Sequence, residues 1–375
     1  MKPPARVAEI PALTGLRALL AWWVVVYHMT IPELAPLPPD GWLEPLRAHG
    51  YLAVDGFFVL SGFILSYVYR DAFAAGVPGI YPRFLLARLA RLYPVHLAMT
   101  LVVLAMLGAA VVATGFQPRV ADRFSGRELV LHVTLLHGWG FSRMLAWNYP
   151  SWSISAEWFA YLCFPIVHRL VLREESRARA MLIAAVALAG LAAFEQLGPH
   201  GNLSYTFEFA LVRIGFEFVI GAALLMVARP WLDAAPTRRV RPHAASALLA
   251  ALAAVFVAPD AAVVGLMALM ILFLSHPDDA LGRLLLSRRA MVYGGESSYA
   301  VYMTHAIVQG VAILALRAVP ALAGPPGWVR LLALLVLVQV AASLTYAFIE
   351  RPGRTWVRRF GEARIARRLA LGGRA

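Results

Sequence analysis

The sequence predicts an all-α, polytopic membrane protein with about ten transmembrane helices and both termini cytoplasmic. Three observations carry this. Hydrophobic residues make up 61% of the 375 and charged residues only 15%, where soluble domains carry ~25% charged; mean hydropathy is +0.69. Apolar runs near the ~20 residues a helical span needs recur along the chain. Basic residues cluster in the short segments between those runs. The net charge of +13 is therefore read as membrane topology, and nucleic acid is not expected as a partner.

The elements follow in order. Residues 1–11 are short and polar, and no small-residue cleavage site follows the first apolar run, so 10–30 is read as a retained helix rather than a signal peptide. Further spans are expected at 50–69, 92–114, 151–168, 180–197, 207–228, 243–258, 260–276, 293–317 and 329–349. An eleventh patch, LVLHVTLLHGWG at 129–140, is short and holds two histidines. Periodicity does not decide whether it spans; charge does. If it stays outside and the N-terminus is cytoplasmic, 25 of the 34 lysines and arginines lie inside and seven outside. If it crosses, the basic segments between 169 and 289 move outside, against the positive-inside rule. Ten spans are therefore expected, with 115–150 an outer loop holding an interfacial or re-entrant piece. Residues 1–352 make one integral membrane domain, and 353–375 a basic cytoplasmic tail that contacts the anionic lipids of the inner leaflet. No second soluble domain and no internal repeat is evident. The one cysteine, Cys163, sits in an apolar segment and is read as packing.

Ionisable residues inside spans are expensive and mark function. In TGLRALLAWWVVVYHM, Arg17 and His28 are eleven residues apart. At ~100° and ~1.5 Å per residue they share a face and lie about 16 Å apart along the axis. Arg17 is then in the inner half and His28 near the outer end; a snorkelling arginine and an interfacial histidine would look the same. Asp55 and Glu157 fall at about the depth of His28. Asp55 is either an orienting partner for the imidazole or a solvated helix end. Glu157, with Ser153 and Ser155 nearby, is either half of a His/Glu base pair or a helix–helix polar contact. Arg88 and Arg91, three apart at the inner surface, are either a phosphate clamp or ordinary topology charge. His305 lies mid-span, packed or supporting. Arg213 and Glu217, at i and i+4, are expected to neutralise one another, and Glu350-Arg351-Pro352 to end the last span. No metal is expected, because HExxH and paired Cys/His spacings are absent. A GxSxG elbow is absent as well.

Six elements in this order resemble acyltransferase family 3, the integral membrane acyltransferases that modify bacterial surface glycans. They are the R-x10-H helix (Arg17, His28), FFVLSGF, RxxR before Tyr93-Pro94, SWSISAEWFAYLCFP with Glu157, SYAVYMTHAIV with His305, and IERP. They run from about residue 10 to 352, and the family's ten-span fold agrees with the count from charge. The resemblance implies a multi-pass protein of the bacterial inner membrane. It implies transfer of an acyl group, by default acetyl, from acyl-CoA to a sugar hydroxyl of an envelope or exported polysaccharide or glycolipid. No permanently bound cofactor is implied. By resemblance Arg88 and Arg91 hold the donor's phosphates and Arg17 lines the path. His28, supported by Glu157, is then a general base or a transient acyl carrier. Some members carry a fused extracytoplasmic SGNH-type domain; this chain ends soon after the tenth span, so a separate extracytoplasmic transferase, or none, completes the transfer. Glu157-Trp158-Phe159 replaces a more usual pattern with a second polar residue. Two other readings share the polar residues: a transporter or flippase, which the lack of an inverted repeat disfavours, and an acyltransferase acting on a secondary metabolite.

Overall fold

The computed structural model describes residues 8–29, 41, 43–114, 123–173, 175–232 and 241–372. Among them the structure is helical, with one isolated backbone bridge between Arg241 and Asp279. Helices α1 (Pro11–His28), α2 (Glu44–Ala48), α3 (Leu52–Ala74), α4 (Ile80–Thr114) and α5 (Gly126–Val133) come first. Then follow α6 (Trp152–Leu162), α7 (Phe164–Val167), α8 (Arg177–Leu197) and α9 (Ala210–Leu232). The last third holds α10 (His243–Ala254), α11 (Asp260–Leu274), α12 (Arg289–Glu296), α13 (Ser298–Ala318), α14 (Gly327–Thr345) and α15 (Arg351–Gly372). Each of the ten apolar segments is helical over most of its length. Six helices are long and apolar enough to cross a membrane: α3, α4, α8, α9, α13, and α14 with its continuation.

The patch at 129–140 does not form a spanning helix. Its helix, α5, has eight residues, ~12 Å at 1.5 Å per residue, well short of the ~30 Å of a hydrocarbon core. Ser125 caps it by accepting from the Glu128 amide, and the chain then turns. Lys2, Arg6, Arg119, Arg238 and Arg239, which enter the charge argument, lie outside the described residues.

α3 and α9 form the centre. A Cβ at Gly62 would stand 2.1 Å from the Phe218 carbonyl oxygen, and one at Gly221 2.0 Å from that of Val59. Only glycine permits this backbone contact, the small-residue route to tight helix pairing in lipid. Around this pair α8, α4 and α14 turn apolar residues such as Leu182, Val186, Val112 and Val336 outward, as a bilayer surface requires.

Polar contacts tie helix ends together at two levels. Glu175, after α7, accepts from Arg70 at the end of α3 (2.8 Å) and from Arg229 at the end of α9 (2.7 Å). At the opposite ends, Asp260 accepts from the Tyr51 hydroxyl (2.6 Å) and the Leu203 amide (2.8 Å). Glu195 accepts from the Asp260 and Ala261 amides at 2.8 and 2.9 Å. The chain does not break at residue 352: a wide π turn at Tyr346–Glu350 links α14 to α15, and α15 runs along α4.

Candidate active site

One part of the site is a cavity of about 160 Å³ walled by α1, α3, α4, α6 and α13. Arg17, Arg88 and Arg91 line it, with Ser61, Glu157 and Tyr161 opposite and Ser153, Tyr299 and Tyr302 closing it. The three-residue spacing in RxxR turns both arginines to one helix face. Arg88 sits between two rings, 5.6 Å from the centre of Tyr69 and 5.9 Å from that of Tyr161. Arg91 pairs with Glu350 and lies 5.6 Å from the Tyr299 ring. Arg88 Nε and Arg91 Nη2 are buried without a hydrogen-bond partner among the described residues. Buried guanidinium donors left open in this way are binding capacity for an anion.

The other part is a pair of histidines. His28 ends α1, and His305 is fully buried on α13. Their ring centres are 5.0 Å apart, with the tilted Tyr149 ring centred 5.2 Å from His28. The hydrogen bonds fix the tautomers. A carbonyl only accepts, so His305 Nδ1–H donates to the Tyr302 carbonyl at 2.6 Å. His305 Nε2 then offers a lone pair, 3.3 Å from His28 Nδ1. His28 Nδ1–H is shared between that lone pair and the Val24 carbonyl at 2.9 Å. His28 Nε2 is left as the unprotonated nitrogen, the state a base or nucleophile needs.

The partners of His28 differ from those expected. Glu157 does not pair with it: Glu157 Oε1 accepts from Ser61 at 2.6 Å and faces the arginine cavity. Asp55 does not orient it either. Both Asp55 oxygens accept from Arg213, at 2.6 and 3.2 Å, and neither side chain is more than 1% exposed. Arg213 therefore bonds across the α3–α9 contact and not to Glu217, whose carboxyl oxygens have no hydrogen-bond partner among the described residues. The planar fork matches a carboxylate on the facing helix better than one on its own. Glu157, bonded to Ser61 six residues after Asp55 on α3, lies with the arginines rather than with His28. Ser155 accepts from the Gly138 amide and donates to the Leu135 carbonyl, tying down the outer loop. Ser153 meets the Tyr302 hydroxyl at 2.7 Å, at the outer wall of the cavity.

Sequence reading missed the aromatic residues: Tyr69, Tyr161 and Tyr299 beside the arginines, and Tyr149 and Tyr302 beside the histidines. Tyr302 had a signal, since it lies three residues before His305 and so on its face. Tyr149 had none, as it arrives from the outer loop. In that loop His132 and His137 stack with centres 3.8 Å apart, and His96 of α4 stacks on both. Burial lowers His132 from an ordinary 6.5 to about 4, and burial with its two neighbours holds His137 well below the usual range.

The family model described as an acyltransferase domain matches residues 10–347. The chain belongs to acyltransferase family 3. Acyltransferase MdmB of Streptomyces mycarofaciens is 31% identical over 171 residues, 45% of this chain and 41% of that protein. The putative peptidoglycan O-acetyltransferase YrhL of Bacillus subtilis (strain 168) is 25% identical, covering 92% of this chain and 55% of its own length. The putative membrane-bound transacylase BcsY of Komagataeibacter xylinus is 26% identical, covering 96% and 86%. The chain thus spans about half the length of the first two. No solved structure matches it. With its apolar helices, this membership makes it a multi-pass membrane protein of an acyl-transferring family.

Proposed function

We infer that the protein transfers an acyl group, acetyl by default, from cytoplasmic acyl-CoA to a hydroxyl of an envelope or exported polysaccharide or glycolipid. The inner bacterial membrane, crossed ten times with both ends cytoplasmic, is its place. The observation that carries this reading is the bare Nε2 of His28, held by His305 at the outer end of the helix whose Arg17 lines the arginine cavity. Arg88 and Arg91 take the donor's phosphates, and the thioester arm rises past Arg17 toward Tyr302. His28 Nε2 removes the acceptor hydroxyl's proton as its oxygen attacks the thioester carbonyl. The C–S bond breaks, the thiolate recovers the proton from His28, and ester and free CoA result. Glu157, held by Ser61, balances the arginines and does not act as the base's partner.

Several contacts favour this topology. Arg70, Glu175 and Arg229 meet at one level, and Tyr51, Asp260 and Glu195 at the other, as alternate crossings require. The acceptor class draws support from the name of the B. subtilis relative, a putative peptidoglycan O-acetyltransferase. The test is acetyl-CoA-dependent labelling of envelope glycans in membranes containing wild type or His28→Ala. Loss of labelling in the variant is expected; full labelling would sink the mechanism. A label arriving on a small molecule instead would redirect the acceptor.

A further inference from the structure

Five arginines converge at the inner end of the site, two of them from the terminal helix. Arg17, Arg88 and Arg91 line the cavity. Arg354 and Arg358 approach from α15, where Arg354 lies within electrostatic reach of Arg91, Arg358 and Arg88. Desolvation where it meets the bundle, and then these neighbouring cations, lower the pKa of Arg354, whose side chain is otherwise exposed. Glu350 is an acid within its reach, and it is already paired with Arg91. Arg17, Arg354 and Arg358 make no ion pair among the described residues. Like charges gathered beside an apolar interior repel strongly. Charge that serves topology alone gains nothing from converging, because separate arginines reach water separately.

The convergence is built in. A Cβ on Gly353 would stand 2.6 Å from Pro94 Cβ, and one on Gly361 2.3 Å from Leu86 Cδ1. These two glycines seat α15 against α4. Four residues apart, Arg354 and Arg358 share a helix face, and α4 presents Arg88 and Arg91 beside it. Such an array fits a ligand with several phosphates at fixed spacing.

We propose that Arg354 and Arg358 form a second phosphate-binding station for the ribose 3′-phosphate of coenzyme A. The assignment rests on the donor reading above and extends it. The order follows from the ligand's connectivity. The thioester arm must point into the cavity, so the diphosphate next to it meets the cavity-lining Arg88 and Arg91. The 3′-phosphate, at the nucleotide end, meets the arginines outside the cavity.

The test uses the purified full chain in detergent and calorimetric titration with coenzyme A and with dephospho-coenzyme A, which lacks only the 3′-phosphate. Wild type should bind coenzyme A about tenfold tighter, the scale of one charge-assisted contact. R354Q/R358Q should bring coenzyme A down to the dephospho level and leave dephospho-coenzyme A within about twofold, which also reports an intact fold. R354K/R358K, keeping the charge, should recover part of the preference. A variant R354Q/R358Q that keeps the full preference overturns the proposal, as does a wild type that binds both ligands equally. A folded wild type that binds neither removes the donor reading itself, and this station with it.

Discussion

The Val24 carbonyl and the His305 ring together hold His28 Nδ1, and on the proposed reading single substitutions here are most informative. His28→Ala should lower turnover by about a hundredfold or more, the usual scale for losing a general base. His305→Phe keeps a ring in the site but removes the lone pair facing His28 Nδ1. Turnover should then fall by about tenfold, within the reach of a misplaced base, with the KM for the donor unchanged. A rise in that KM at constant turnover would place His305 in donor binding instead. The residue types of the site were legible in the sequence, because Arg17, His28, Arg88, Arg91, Glu157 and His305 are all costly in a bilayer. Their partners were not. Helix rise alone suggests one level for Asp55, Glu157 and His28, but depth and direction around the bundle depend on helix tilts and crossings that the sequence does not state. Asp55 thus met Arg213, and Glu157 met Ser61.

At the scale of elements, the α3–α9 contact and the outer loop make opposite uses of burial. Arg213 and Asp55 are an ion pair deep between α3 and α9, and removing one partner strands the other charge. Asp55→Ala should cost about 3–5 kcal/mol, read as a lower midpoint in detergent thermal unfolding. The double change Asp55→Leu with Arg213→Met should recover much of the loss, since a buried pair is often replaceable by apolar packing. A single variant as stable as wild type would show that the pair contributes nothing. The outer loop instead buries neutral imidazoles. His132 falls from 6.5 to about 4, so the folded loop binds fewer protons than the unfolded one between those values. Stability there rises with pH, and is lost as pH falls from 6.5 toward 4. Protection factors across 123–151, corrected for the slower intrinsic exchange in acid, should fall at pH 5 relative to pH 7.5, while those of α3 and α9 hold. Unchanged protection of the loop at pH 5 would contradict the buried neutral state of His132. The existence of these elements followed from hydropathy. The length of α5 did not, because a capped eight-residue helix and a longer span share the same apolar run.

For the whole molecule, sidedness is one connected statement. Glu175 joins the ends of α3 and α9. The Asp260–Tyr51 bond joins the start of α3 to the start of α11. Arg241 bridges to Asp279 beside the end of α11. No single loop can change sides without breaking these joints, so a few labelled positions report on the entire topology. In a Cys163→Ala background, Arg143→Cys and His200→Cys place thiols at exposed sites of the expected outer loops, and Ser287→Cys at an exposed site of an expected inner one. A membrane-impermeant maleimide should label the first two in intact spheroplasts and the third only after permeabilisation. If the 129–140 patch crossed the membrane after all, Arg143→Cys and His200→Cys would be protected and Ser287→Cys would react, since every later segment would invert together. That inversion would leave Arg17, Arg88 and Arg91, all earlier in the chain, on their own side and carry Glu157 and Tyr299, which line the same cavity, to the other. The same three thiols therefore test whether the two halves of the cavity can meet as the fold requires.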